Sequence, residues 1–286
     1  GERTRRHRRD PRSAGVVFEI VPNLSEGRNA ETIAQAVKVA ETAGAQVLNW
    51  SSDELHHRSV LTIVGDATQV LDAAVELAGV ALERIDLRGH RGLHPRMGAL
   101  DVLPFVPLGG ASLEEAAALA HRAGARIWER FGVPSFYYGA AARSAQRRLL
   151  PSIRRNTGWL PDEGDVARHV SAGAIAIGAR EILIAFNIEL GTTELSLARA
   201  IARAIRERDG GLRSLRAIAL PRGNDRVQVS LNVTDYAATP LYRVVELVRE
   251  LAAGRGVELL GCELIGCLPI AAVESAAAYY LGVSTL

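Results

Sequence analysis

One pattern of apolar periodicity occurs twice along the chain, and this repeat constrains the fold more than any single motif. The run 16-VVFEIVPN-23 reads as a strand and is followed by a helical pattern over 29–43, with Asn29 as its N-cap. Two strand-like runs follow, 46-QVLNWSS-52 and 59-SVLTIVGD-66, and then a long helix over 66–87 and a strand, 100-LDVLPFVPL-108. Past residue 180 the order returns: strand 181–190, helix 194–208, strands 214–220 and 226–233, helix 240–253 and strand 257–266, with an appended helix over 270–282. Two β-α-β-β-α-β series in tandem imply an α+β chain of two ferredoxin-like subdomains, each a mixed sheet with helices. The expected division is a subdomain over 15–180 and another over 181–286. The first also holds a helix over 112–130, a strand over 134–141, an Arg-rich piece and a long loop over 157–180. That loop ends in SAGAIAIGAR, whose small residues would admit close approach of a ligand.

Charge narrows the partners. Residues 1–14 hold six Arg against Glu2 and Asp10, a local +4 in a chain of net +2, so the remainder carries −2. The folded part therefore lacks the basic surplus of a nucleic-acid binder, and no nucleic-acid partner is expected. The Arg-rich tail has too few apolar residues to fold and is expected to be disordered. With no apolar segment behind it, it does not read as a secretory signal, and no run is long enough for a membrane span. Lys38 is the single lysine, on a helical surface pattern, which disfavours Schiff-base chemistry. Cys262 and Cys267 are wrongly spaced for a redox pair and read as small core hydrophobes of a reduced protein.

Most of the proton-exchanging chemistry sits in 88-RGHRGLHPRMGALDV-102, directly before a strand. Gly92 and Gly98 let this loop bend, and Pro95 holds His94 extended. A histidine there can exchange protons near neutrality. Arg96, two residues on, projects from the same side and can hold a carboxylate. His90 reads as a solvated loop residue kept neutral by Arg88 and Arg91. His56 and His57 would point to opposite sides of a strand, which is poor metal geometry, and no other His spacing supplies a metal set. His169, in the long loop, reads as a ligand contact or a simple loop residue, and His121 as structural.

These segments carry a resemblance. VPNLSEGRN, HHRSVLTIVG, GLHPRMGALDVLPFVPL and EILIAFNIEL are similar to motifs of the formiminotransferase family, over about 16–275. The resemblance covers the formiminotransferase part and not the cyclodeaminase fused to it in animals. It implies two α/β subdomains with a folate tunnel between them, in a cytoplasmic homodimer. It also implies transfer of a formimino group from N-formimino-L-glutamate to N5 of tetrahydrofolate, a step of histidine breakdown. Tetrahydrofolate would be a co-substrate, with no metal. The family's catalytic histidine, in H-P-R-[MI]-G, falls on His94, which would act as general acid and base. The family's folate-contacting loop falls on 164–173, which gives Gly164, His169, Ser171 and Gly173. Asp53, His57, Arg58 and Arg96 are the further expected contacts to substrate or folate. The chain departs from the family pattern at Leu93, where an acid is common, at Ser51, where an Asp is common, and at His57, where an Asn is common. Those departures leave open a related formimino or formyl transferase with another amine partner, or a folate-binding homologue without turnover.

Overall fold

The computed structural model describes residues 15–92, 96–156, 158–223 and 225–284. The described chain divides into two compact units, and the division falls between Arg180 and Glu181.

The first unit is a seven-stranded sheet with helices. Its strands are β1 (Val17–Ile20), β2 (Asn23–Leu24), β3 (Gln46–Asp53), β4 (Arg58–Gly65), β5 (Leu100–Leu108), β6 (Ser135–Gly139) and β7 (Ile175–Ala179). The expected first strand is interrupted at Val21 and Pro22, because Pro22 has no N–H to give to the ladder. Its two pieces, β1 and β2, share one rung, each antiparallel to both β4 and β5. With β3 outside β4, the spatial order is that of a split βαβ unit. Helix α1 (Ala30–Thr42) starts at the cap the sequence places at Asn29, and α2 (Ala67–Arg84) starts where the expected helix over 66–87 begins. The Asn29 side chain accepts from the Glu31 and Thr32 amides, and Asp66 with Gln69 forms a capping box. Ser112 and Glu115 do the same for α3 (Leu113–Phe131).

The stretch expected as a small-residue loop is instead partly a strand. Ile175–Ala179 is β7, buried throughout and parallel to both β5 and β6. A strand buried on both faces loses the polar alternation that identifies a half-exposed one, so its run of Ala, Ile and Gly reads as a loop in sequence. The Arg-rich piece folds onto the sheet's other face. There α4 (Leu150–Arg155) and Trp159 cover Val102, Phe136, Tyr138, Ala174 and Ala176, with Ile153 buried among them. Arg147 holds this segment, paired with Asp162 at 2.7 Å and lying over the Trp159 ring.

The second unit holds β8 (Ile184–Leu190), β9 (Leu215–Arg222), β10 (Arg226–Val233) and β11 (Leu259–Ile265) in the order β11-β8-β10-β9. All its pairings are antiparallel, so mixed strand direction belongs to the first sheet alone. Ile184, Ile188, Leu190, Val229 and Leu231 form its core with Ile201 of α5 (Leu195–Ile205) and Val248 of α6 (Leu241–Ala253). The expected helix over 194–208 stops at Ile205 and continues as a single tight turn, Glu207–Asp209. The appended helix is α7 (Ile270–Leu281). Cys262 and Cys267, expected in the core, are both exposed, because Cys262 alternates onto the open side of β11 with Leu260 and Leu264 and Cys267 follows the strand's end.

Gly173 shows what the fold requires of its glycines. Its φ is +70°, and a Cβ there would lie 2.2 Å from the Met97 carbonyl oxygen. Gly173→Ala is expected to cost on the order of 3 kcal/mol, from left-handed strain together with a backbone clash. Urea unfolding of the purified variant checks this.

Candidate active site

Three segments converge at one end of the first sheet. The chain leaves β2 through Ser25, Glu26 and Gly27; β3 and β4 turn over at residues 54–57; and residues 88–92 and 96–98, before β5, lie beside them. Gly27 makes the first two meet. A Cβ on it would lie 2.2 Å from the Asp53 carbonyl oxygen and 2.6 Å from the Arg58 amide nitrogen, so only glycine lets these backbones touch.

His57 sits in the hairpin turn with φ +51°, and not in a strand as the sequence implied. Its Nδ1 accepts the Gly27 N–H at 3.1 Å and lies 3.4 Å from Glu26 Oε1. His56 turns the other way, its Nδ1 2.9 Å from Asp53 Oδ2, while its backbone N–H donates to Asp53 Oδ1 at 2.7 Å. Burial raises the Asp53 carboxyl, but these bonds from His56 outweigh it and hold the carboxyl below its ordinary value.

His90 is half-buried and belongs to this cluster, contrary to its reading as a solvated residue. Its ring lies 4.1 Å from the His57 ring, centroid to centroid. Its Nε2–H donates to the Ser25 carbonyl at 2.8 Å, which leaves Nδ1 to accept from Arg96 Nη1 at 2.9 Å. The guanidinium of Arg96 also donates to the carbonyls of His57 at 3.2 Å and His56 at 3.0 Å. Arg96 thus ties the chain entering β5, and His90, to the hairpin tip. Arg88, expected to act on His90, instead pairs with Asp86 at 2.5 Å. Both imidazoles are held below the usual histidine value. For each, burial is the largest cause, and Arg96 adds to it. Glu26 opposes the shift without cancelling it.

Beneath the cluster lies Asp101 of β5, 1% exposed. Its Oδ1 accepts the Met97 N–H at 2.7 Å, and its Oδ2 pairs with Arg154 of α4. Arg58, half-buried, donates to Asn23 Oδ1. Burial, with Arg154 and Arg96 nearby, pushes the Arg58 guanidinium down to about 10 against the pull of Asp101 and Asp53. Arg58, Arg96 and Arg154 therefore outnumber the one buried carboxylate they share. Glu26, Asn23, Asp101 and Arg154 were not singled out in the sequence. The signal for Asp101 was an acid inside an otherwise apolar strand.

The remaining expected residues fall in two places. His169 and Gly173 exchange backbone hydrogen bonds at 2.7 and 3.0 Å, and His169 Nδ1 accepts the Ala172 N–H at 3.2 Å, closing a tight turn that includes Ser171. That turn docks on residues 97–99 and on Leu87, through Ala174 to Met97, Ala99 to Ala172 and Leu87 to Ser171. It therefore abuts the chain at both ends of the stretch before β5, at Leu87 and at residues 97–99. Gly164, with φ +107°, packs against Trp128 and Pro134 and takes no part in this cluster. His121 Nε2–H donates to the Ala141 carbonyl at 2.8 Å, and the ring packs edge-on against Tyr137, a structural placement. His94 and Leu93 lie outside the described residues, as does the Arg-rich tail. Among the described residues no group of three or more His, Cys, Asp or Glu could hold a metal ion, and no helix is long and apolar enough to cross a membrane.

Two outcomes follow from this electrostatic arrangement. Asp101→Asn keeps an acceptor for Met97 but leaves three guanidinium groups without their carboxylate. The expected loss is about 3 kcal/mol, at the low end for a broken buried pair because Arg154 retains some solvent. Guanidinium unfolding reads it. His57 and His90 resist protonation in the fold more than in the unfolded chain. Their stabilising effect is full above the unfolded value of about 6.5 and is lost as pH falls below it. Tm should drop between pH 7.5 and 5.5 by more in the natural chain than in the His57→Asn/His90→Asn double variant.

Residues 17–180 match the formiminotransferase domain, N-terminal subdomain, and residues 185–286 match the formiminotransferase domain. A glutamate formimidoyltransferase of Streptococcus pyogenes serotype M1 is 37% identical over 93% of this chain and 94% of its own. One of Thermoplasma acidophilum is 39% identical over 93% and 92%. The formimidoyltransferase-cyclodeaminase of Gallus gallus is 39% identical over 93% of this chain but 52% of its own length. The chain is a member of the formiminotransferase family.

Proposed function

We propose that the protein is a glutamate formimidoyltransferase, moving the formimino group of N-formimino-L-glutamate to N5 of tetrahydrofolate in histidine breakdown. The observation that carries this reading is the near-full-length similarity to two chains of that name. The site's chemistry supports it. Both substrates are carboxylates, and the cluster offers a cationic surplus in Arg28, Arg58, Arg96 and Arg154. Arg154 Nε is buried with no hydrogen-bond partner among the described residues, a donor left over for an incoming acceptor.

In this reading His94 takes the proton shed as N5 bonds to the amidine carbon, and returns it to the glutamate nitrogen as that carbon–nitrogen bond breaks. Arg58 and Arg96 hold carboxylate groups, Asp53 and His57 shape the hairpin tip beside them, and the 164–173 segment, with Gly164, His169, Ser171 and Gly173, meets the folate. Tetrahydrofolate is consumed as co-substrate, and no metal takes part. The working form is a cytoplasmic homodimer. A second reading, transfer to or from another amine, is favoured by His57. Its Nδ1 faces Glu26 and Gly27 where the family pattern carries an amide side chain.

The test is direct. Purified protein with formiminoglutamate and tetrahydrofolate should form 5-formiminotetrahydrofolate. His94→Ala should lower kcat by about 10²–10⁴ while folate affinity is kept. Turnover with a different formimino or formyl amine alone would replace the first reading by the second. Folate binding without turnover on any of them would remove enzyme function.

A further inference from the structure

The hairpin tip holds a histidine–carboxylate pair with no part in the proton transfer assigned to His94. His56 Nδ1 lies 2.9 Å from Asp53 Oδ2, and the His56 backbone N–H donates to Asp53 Oδ1 at 2.7 Å. One carboxylate thus closes the turn and grips the ring. With Nδ1–H donating to Asp53, the neutral imidazole leaves Nε2 bare, an acceptor with no proton to give. Among the described residues Nε2 has no hydrogen-bond partner. The His56 side chain is 23% exposed and that of Asp53 47%, so a small ligand can reach both. The pair shares a face with the cationic cluster. Asp53 and Arg58 stand opposite each other in the β3–β4 ladder, so their side chains leave the sheet on one side, where Arg58 donates to Asn23. Ser51, the next residue of β3 on that face, is neutral where the family pattern commonly carries an acid. Neighbouring acceptors are committed elsewhere: Glu26 Oε1 to the Arg28 and Asn29 amides, Asp101 to Met97 and Arg154, and both ring nitrogens of His90 to Ser25 and Arg96.

N-Formimino-L-glutamate has two unlike ends. Its carboxylates suit guanidinium groups. Its amidine is a strong base, cationic near neutrality, and presents N–H donors. Arginines repel that end, whereas an acceptor nitrogen backed by a carboxylate attracts it. We infer, resting on the transferase reading above, that His56 reads the group being transferred: its Nε2 accepts an N–H from the amidinium terminus and so selects a formimino donor over a formyl donor. A formyl group carries an oxygen where the amidinium carries its terminal nitrogen, and that oxygen sets a lone pair against the lone pair of Nε2. His56 is the residue that touches the group. Asp53 is the positioning residue that keeps the ring proton on Nδ1.

Asp53→Asn separates this role from a purely structural one. Its amide oxygen still accepts the His56 backbone N–H and keeps the turn, but its NH2 donates to Nδ1 and drives the ring proton to Nε2, which becomes a donor. At pH 8, where an imidazole is ordinarily neutral, kcat/KM with tetrahydrofolate should favour N-formimino-L-glutamate over N-formyl-L-glutamate in the natural chain. That ratio should fall about 10²-fold in Asp53→Asn and in His56→Phe, with the circular dichroism spectrum unchanged. Calorimetric titration of each acylated glutamate without folate should show the same shift in relative affinity, with or without turnover. Equal losses for the two donors would make the pair a brace for the turn and overturn the inference. So would an unchanged ratio, or a natural chain with no preference for the formimino donor in either assay. A shifted affinity ratio without any turnover would remove the transferase reading and keep the recognition; formimino transfer with an unchanged ratio would do the reverse.

Discussion

Asp101 is the constraint on which the described site depends. A carboxylate at 1% exposure, inside a strand otherwise made of Leu, Val, Pro and Phe, is costly unless every lone pair is used. It uses them on the Met97 amide and on Arg154, and so fixes two things at once. The end of the 88–98 loop is pinned to the start of β5, and α4 is pinned to the sheet's open face. The field of Asp101 also reaches Arg58 and Arg96, raising both against the burial that lowers them. Arg96 then carries the arrangement outward, because its guanidinium spans His56, His57 and His90. The order runs from one buried acid to a cation, and from that cation to two imidazoles.

Most of the scaffold was legible because it follows from local rules. The cap at Asn29, the starts of the helices at 66 and 112, the strand at 100–108, and the repeated order all rest on residues within a few positions of one another. What was not legible depends on partners distant in sequence. β7 is a strand only because β5 and β6 flank it, and nothing in IAIGA states that. His90 reads as a solvated residue from Arg88 and Arg91, its sequence neighbours. In the fold its neighbours are His57, Ser25 and Arg96, between 6 and 65 positions away along the chain. The sequence shows the insert only as Arg-rich and names no partners for it; in the fold Arg143, Arg147 and Arg154 each meet a carboxylate of the protein: Glu163, Asp162 and Asp101.

The departure at His57 can be weighed against this frame. The turn needs an acceptor for the Gly27 N–H, and a neutral imidazole nitrogen supplies one, as an amide oxygen would. Imidazole does so only while unprotonated. The neighbourhood enforces that condition through burial and through Arg28 and Arg96, against a single opposing charge on Glu26. The same cations that keep His57 and His90 neutral favour a bound carboxylate. Filling the site with an anion would add a second opposing charge and so raise the proton affinity of both imidazoles. Substrate binding and protonation at this hairpin are therefore coupled with a definite sign. An anionic ligand should bind with proton uptake wherever the pH lies near the raised value, and its affinity should strengthen as pH falls toward that value.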